Sequence, residues 1–150
     1  MEYSQGAVIS TRAFDYAPGE NEAEKASNGY LVSLFAIKIG LMIPLFNLLA
    51  TLIFYVGNRK SSYFVRWHCT QLLFLQLSLF VINGTAFYWT LSIIFGNNNI
   101  TNHYIAYLMT MLAFNILEYI ITIYTAVRTR KGHHIVWWFY GSLAQQICKP

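Results

Sequence analysis

Charge is what this sequence has least of. Only 11% of its 150 residues are Asp, Glu, Lys or Arg, against about 25% in a soluble domain, whose surface has to be held in water. A chain this poor in charge cannot wet most of its surface, which argues against an ordinary soluble domain. Cysteine is scarce too. Cys69 and Cys148 form no CxxC and no disulfide framework, so a redox motif and a cysteine-stapled secreted fold are both set aside. The start of the chain lacks the basic residues and apolar stretch of a signal peptide, and its acids do not fit an organelle transit peptide. Also missing is the basic patch on a soluble domain that marks nucleic-acid binding.

What is abundant is apolar and aromatic. Hydrophobic residues make up 56% and aromatics 17%, with four Trp, eleven Tyr and eleven Phe; such rings collect at the headgroup level of a bilayer. The length suits one compact unit. Three hydrophobic segments stand out: 31–56, interrupted by Lys38, Pro44 and Asn47; 72–95, with no charge; and 104–127, with Glu118 alone. About 20 apolar residues cross a hydrocarbon core of roughly 30 Å, and helix is the form that satisfies the backbone there. The expected fold is an all-α membrane protein. Residues 1–29 read as a mobile acidic tail and 30–131 as the transmembrane helical domain. Residues 132–150 read as an aromatic segment, with a short helix lying in the membrane interface.

The loops carry a topology signal. Arg59, Lys60 and Arg66 follow the first segment, and Arg128, Arg130 and Lys131 follow the third, whereas the loop 96–103 has no Lys or Arg. Positive charge marks the cytoplasmic side, which predicts a multi-pass membrane protein with its first loop and C-terminus cytoplasmic. Gly40 and Pro44 break the first segment. It is either a kinked span, with the N-terminal tail outside, or a re-entrant hairpin that returns the tail to the cytoplasm. In the hairpin, Lys38 and Glu118 lie at similar depth and an ion pair becomes available; an ionisable group inside the membrane is a functional candidate by default.

Polar residues fall on helical stripes. Cys69, Gln76, Asn83 and Thr90 recur every seven residues; Asn115, Glu118, Thr122 and Thr125 form a second stripe, and Asn47 and Thr51 a third. Such faces turn from lipid toward other helices or a watery crevice, and their number suggests integral membrane partners. Arg66, His68 and Gln71 gather at the cytoplasmic boundary, with Ser61 or Ser62 as N-cap. Arg66 has the geometry to clamp phosphate or carboxylate. Adjacent His68 and Cys69 point about 100° apart on a helix and have no orienting acid, and His133–His134 has no partner at ligand spacing. No catalytic, cofactor or metal site is expected, and the chain does not read as an enzyme. Asn99-Ile100-Thr101 matches a glycosylation triplet.

The run Tyr63-Phe64-Val65-Arg66-Trp67-His68-Cys69-Thr70-Gln71 resembles the "FVR-aromatic-His/Asn-Ala-x-Gln" signature of a family of small bacterial membrane proteins. Those are related to the twenty-kilodalton channel-like subunit of the chloroplast inner-envelope protein translocon. The resemblance extends from about Tyr30 to Tyr140 and includes the Gly40-to-Pro44 break and the exit Arg128-Thr129-Arg130-Lys131-Gly132. Cys69 stands where alanine is usual, Leu73-Phe74 replace Ala/Leu-Asn, and no proline follows Gly132. The resemblance implies an accessory subunit of a membrane complex that moves or assembles proteins, in contact with lipid and not with nucleic acid. A small homo-oligomeric pore or carrier using Lys38, Glu118 and Asn83 is the alternative. Arg66, His68, Gln71, Gln76, Asn83, Lys38, Glu118 and Asn115 are the candidate functional or interface residues.

Overall fold

The computed structural model describes residues 9–12, 17–40, 44–96 and 99–148. Among them lie five helices: α1 (Glu20–Gly40), α2 (Pro44–Asn58), α3 (Tyr63–Ile94), α4 (Asn102–Arg130) and α5 (Trp138–Ile147). Two short strands, β1 (Ile9–Arg12) and β2 (His134–Trp137), pair antiparallel with Ile9 opposite Trp137 and Arg12 opposite His134.

Of the three expected spans, two are seen as single long helices. α3 and α4 run 32 and 29 residues and are long and apolar enough to cross a membrane. At 1.5 Å per residue each exceeds a hydrocarbon core of roughly 30 Å. The first hydrophobic segment differs. α1 ends at Gly40 and α2 starts at Pro44, where a missing N–H costs a helix nothing because the first turn has no partner for it. The 15 residues of α2 reach only about 22 Å at the same rise, too short to cross alone. The two helices fold back on each other instead of continuing as one kinked rod. Their contact is close at Gly29, where an added Cβ would lie 2.9 Å from Phe54 Cε1.

This hairpin packs into the crevice between the long helices, α1 mainly against α4 and α2 against α3. Ser27 Oγ donates to the Ala126 carbonyl at 2.9 Å, pinning α1 to α4. The interior apolar cluster of Tyr30, Leu72, Leu75, Leu79, Ala126, Ile135 and Trp137 joins α1, α3, α4 and β2. The outer faces are apolar as well: Ile53 on α2, Val81 on α3 and Met109 on α4 are all more than 60% exposed. Such faces are at home in lipid and not in water.

At the end of α4 the chain turns on Gly132, whose φ of 79° lies in the left-handed region. Its N–H and that of His133 return to the Thr129 and Arg128 carbonyls at 2.9 and 3.2 Å, closing the helix terminus. β2 and α5 then fold back across the start of α3. Because β1 pairs with β2, the N-terminal strand lies beside the segment that immediately follows α4. The acidic segment 1–29 is thus partly built into the fold: Ile9–Arg12 pair with β2, and Glu20 onward is helical.

Candidate functional site

The polar stripes converge on one another inside the chain, in three layers along the bundle. The first is at the basic end. Tyr63–Gln71 forms the opening turns of α3, with Ser62 at the N-cap position but making no side-chain capping bond. Phe64, Val65, Trp67, His68 and Gln71 are all buried. His68 Nδ1 meets the Tyr30 hydroxyl at 2.9 Å, and its Nε2 meets His134 Nδ1 at 3.3 Å, so both ring nitrogens face protein groups. The rings of Phe64, Trp67 and His134 pack around the imidazole, 4.6 to 5.2 Å between centroids.

Gln71 does the work of a missing strand. Its Nε2 donates to the Ile135 carbonyl at 3.2 Å and its Oε1 accepts from the Trp137 N–H at 2.9 Å. Residues two apart on a strand present their backbone groups to the same edge. The side-chain amide therefore closes the edge of β2 opposite β1, and its second donor contact reaches the Tyr30 hydroxyl at 3.0 Å. Trp137 is held further by its indole N–H, which donates to Thr125 Oγ1 at 2.9 Å.

The second layer surrounds Glu118. Gln76 Nε2 donates to Glu118 Oε1 at 3.1 Å and to Ser33 Oγ at 3.0 Å; Thr122 Oγ1 also donates to Oε1, at 3.1 Å. Asn47 Nδ2 donates to Gln76 Oε1 at 2.7 Å. One glutamine thus links α1, α2, α3 and α4. Three oxygens of this region, Glu118 Oε2, Asn47 Oδ1 and Thr51 Oγ1, are buried without a hydrogen-bond partner. The third layer is the reciprocal amide pair Asn83–Asn115, bonded at 3.1 and 2.8 Å. Beyond it, Thr90 Oγ1 meets the Tyr104 hydroxyl at 2.9 Å.

The candidate residues therefore sort by position. His68 and Gln71 share the first layer through Tyr30, Gln76 and Glu118 share the second, and Asn83 and Asn115 form the third. Arg66 stands half-buried beside the first layer. The side chain of Lys38 lies outside the described residues, and so does the proposed ion pair with Glu118. Cys69 is buried in an apolar cluster with Ala26, Phe64 and Val65. Sequence reasoning gave Tyr30 and Ser33 no site role and weighed His134 only as a metal ligand. Ser27, Tyr30 and Ser33 recur at spacing three on α1, a polar stripe hidden at the border of the assumed tail. The stripes that suggested protein partners are largely answered within the chain.

Among the described residues no group of three or more His, Cys, Asp or Glu lies together to hold a metal ion. His68 and His134 make a pair with no third such ligand beside it among the described residues. The layers are suited to joining helices, since a hydrogen bond between helices in lipid is worth about 0.6 to 2 kcal/mol.

No curated protein and no solved structure matches the chain. A protein-family model does match, over residues 26–142, from the buried face of α1 through both long helices, β2 and the first turn of α5; its description is the magnetosome magnetite crystal formation protein family. That finding overturns the translocon-related resemblance and, with it, the reading as a subunit for protein translocation. The family match and the resemblance cover nearly the same residues, and the conspicuous run at the start of α3 on which the resemblance was read consists mostly of buried packing contacts. This membrane protein with two candidate membrane-crossing helices belongs to the magnetosome magnetite crystal formation family.

Proposed function

We propose that the chain is a non-enzymatic integral protein of the magnetosome membrane that supports magnetite crystal formation. The observation that carries this reading is the family match across residues 26–142. In it, α3 and α4 cross the bilayer and the α1–α2 hairpin enters and leaves by the cytoplasmic face. The basic ends near Arg59, Lys60, Arg128, Arg130 and Lys131 support that orientation. The β1–β2 pairing supports an N-terminal segment on the same side as the C-terminus.

Charge distribution supports a scaffolding role over a templating one. Between Arg66 and Glu118 the sequence holds no Asp, Glu, Lys or Arg. The loop on the mineral-facing side offers amide, hydroxyl and imidazole groups from Asn99, Thr101, Asn102 and His103, and no carboxylate. Hard cations favour carboxylate oxygens, so this face is a weak chelator. The chain acts through its folded body, on lipid and on other integral membrane proteins. Deleting the gene in magnetite-forming cells should change crystal size or number, and the wild-type chain should restore them. The tagged chain should also fractionate with crystal-bearing membranes. Unchanged crystals, or a chain found only in bulk membrane, would sink the reading.

A further inference from the structure

A cavity of about 220 Å³ lies between α3, α4 and α5, walled by Leu79, Ile82, Phe114, Leu117 and the aromatic start of α5. Glu118 bounds it on the interior side, with Oε1 turned to Gln76 and Thr122. An apolar cavity of about 150 Å³ already accepts benzene. Left empty, a void this size loses the dispersion contacts of its walls. Beside lipid, the filler at hand is an acyl chain.

Two features make this a fixed site. α5 fences the mouth: Trp137 is held by its bond to Thr125, while Trp138 and Phe139 stand 80% and 58% exposed. In addition, Phe114, Leu117, Ile121, Tyr124 and Arg128 follow one another at alternating steps of three and four, a single stripe of α4. Arg128 is drawn onto that stripe by Tyr124. Its Nε donates to the Tyr124 hydroxyl at 3.4 Å, and its guanidinium carbon lies 5.8 Å from the ring centroid. It sits two turns beyond Ile121, about 10 Å along the helix, at the level of the basic boundary. Neighbouring Arg130 is engaged with Glu24 at 3.2 Å.

We infer that this cavity holds one acyl chain of a resident phospholipid whose anionic headgroup rests on Arg128. Basic positions beside crevices between membrane helices on the cytoplasmic side recognise anionic headgroups in this way. The site does not depend on the role in crystal formation.

The test is native mass spectrometry of the full chain, extracted mildly and exchanged into mixtures of phosphatidylglycerol and phosphatidylcholine. Wild type should retain one lipid per chain and favour phosphatidylglycerol by about tenfold. Arg128→Gln should abolish that preference, and Leu117→Trp, which fills the cavity from its lipid-facing wall, should abolish retention. Arg130→Gln should leave both unchanged, and helical circular dichroism confirms that each variant is folded. No retained lipid in wild type, an undiminished preference in Arg128→Gln, or undiminished retention in a folded Leu117→Trp would each overturn the proposal.

Discussion

Replacing Gln71 by leucine tests whether a side-chain amide holds the C-terminal segment onto the bundle. Leucine keeps the volume and removes three hydrogen bonds, to the Tyr30 hydroxyl, the Ile135 carbonyl and the Trp137 N–H. The last two are backbone groups on the edge of β2 that β1 does not cover, and both residues are buried. A buried backbone group left unpaired costs about 1–3 kcal/mol, so the pair should cost on the order of 3 kcal/mol. For a chain of this size 1 kcal/mol moves the midpoint by roughly 2–4 °C, which places the expected loss at about 6–12 °C in detergent. The loss should be local first. At 1.4 kcal/mol per decade, amide exchange over residues 134–140 should quicken by about a hundredfold, while the middle of α3 keeps its protection. Gln71→Glu retains an oxygen for the Trp137 N–H but no donor for the Ile135 carbonyl, and should also be destabilised. A midpoint within about 2 °C of wild type, with exchange over 134–140 unchanged, would refute the surrogate-strand account.

Two further substitutions probe the helix contacts. Gly29→Val should drive a side chain against Phe54, whose Cε1 and Cδ1 would stand 2.9 and 3.3 Å from the first added carbon. The melting midpoint should fall, and Phe54→Ala should recover part of it; equal losses with and without the second change would count against close α1–α2 packing. Asn83→Leu and Asn115→Leu should each cost about 1–2 kcal/mol by stranding one amide in the bundle, whereas the double variant should lose less than the sum of the two. Strictly additive midpoints in a double-mutant cycle would show that the pair does not act as a unit.

The elements visible in the sequence were those whose signal is a long run. Leu72–Phe95 and Tyr104–Val127 lie inside α3 and α4 but for Phe95, because a run of about twenty mostly apolar positions suits a membrane-crossing helix, which satisfies its own backbone. Gly40 and Pro44 marked the break in the first segment, but local chemistry alone does not say whether a broken helix bends or doubles back. That choice is made by tertiary contacts: Phe54 against Gly29, and Gln76 reaching both Ser33 and Asn47. β2 was invisible for a related reason. Four residues leading straight into a helix carry too short a pattern to register, and half of the strand's bonding comes from residue 71, more than sixty positions away.

The same geometry shows what the most conspicuous run of the sequence does. The residues of Tyr63–Gln71 that look most chemical, His68 and Gln71, are 0% exposed and are committed to Tyr30, His134 and the edge of β2. A run of this kind records how an entering helix must receive a returning strand. Packing of this kind says nothing by itself about function. Outside the motif the surface offers a loop between α3 and α4 without Asp, Glu, Lys or Arg, basic residues toward the other ends of those helices, and apolar outer faces. The family assignment rests on the match across residues 26–142 and not on that run.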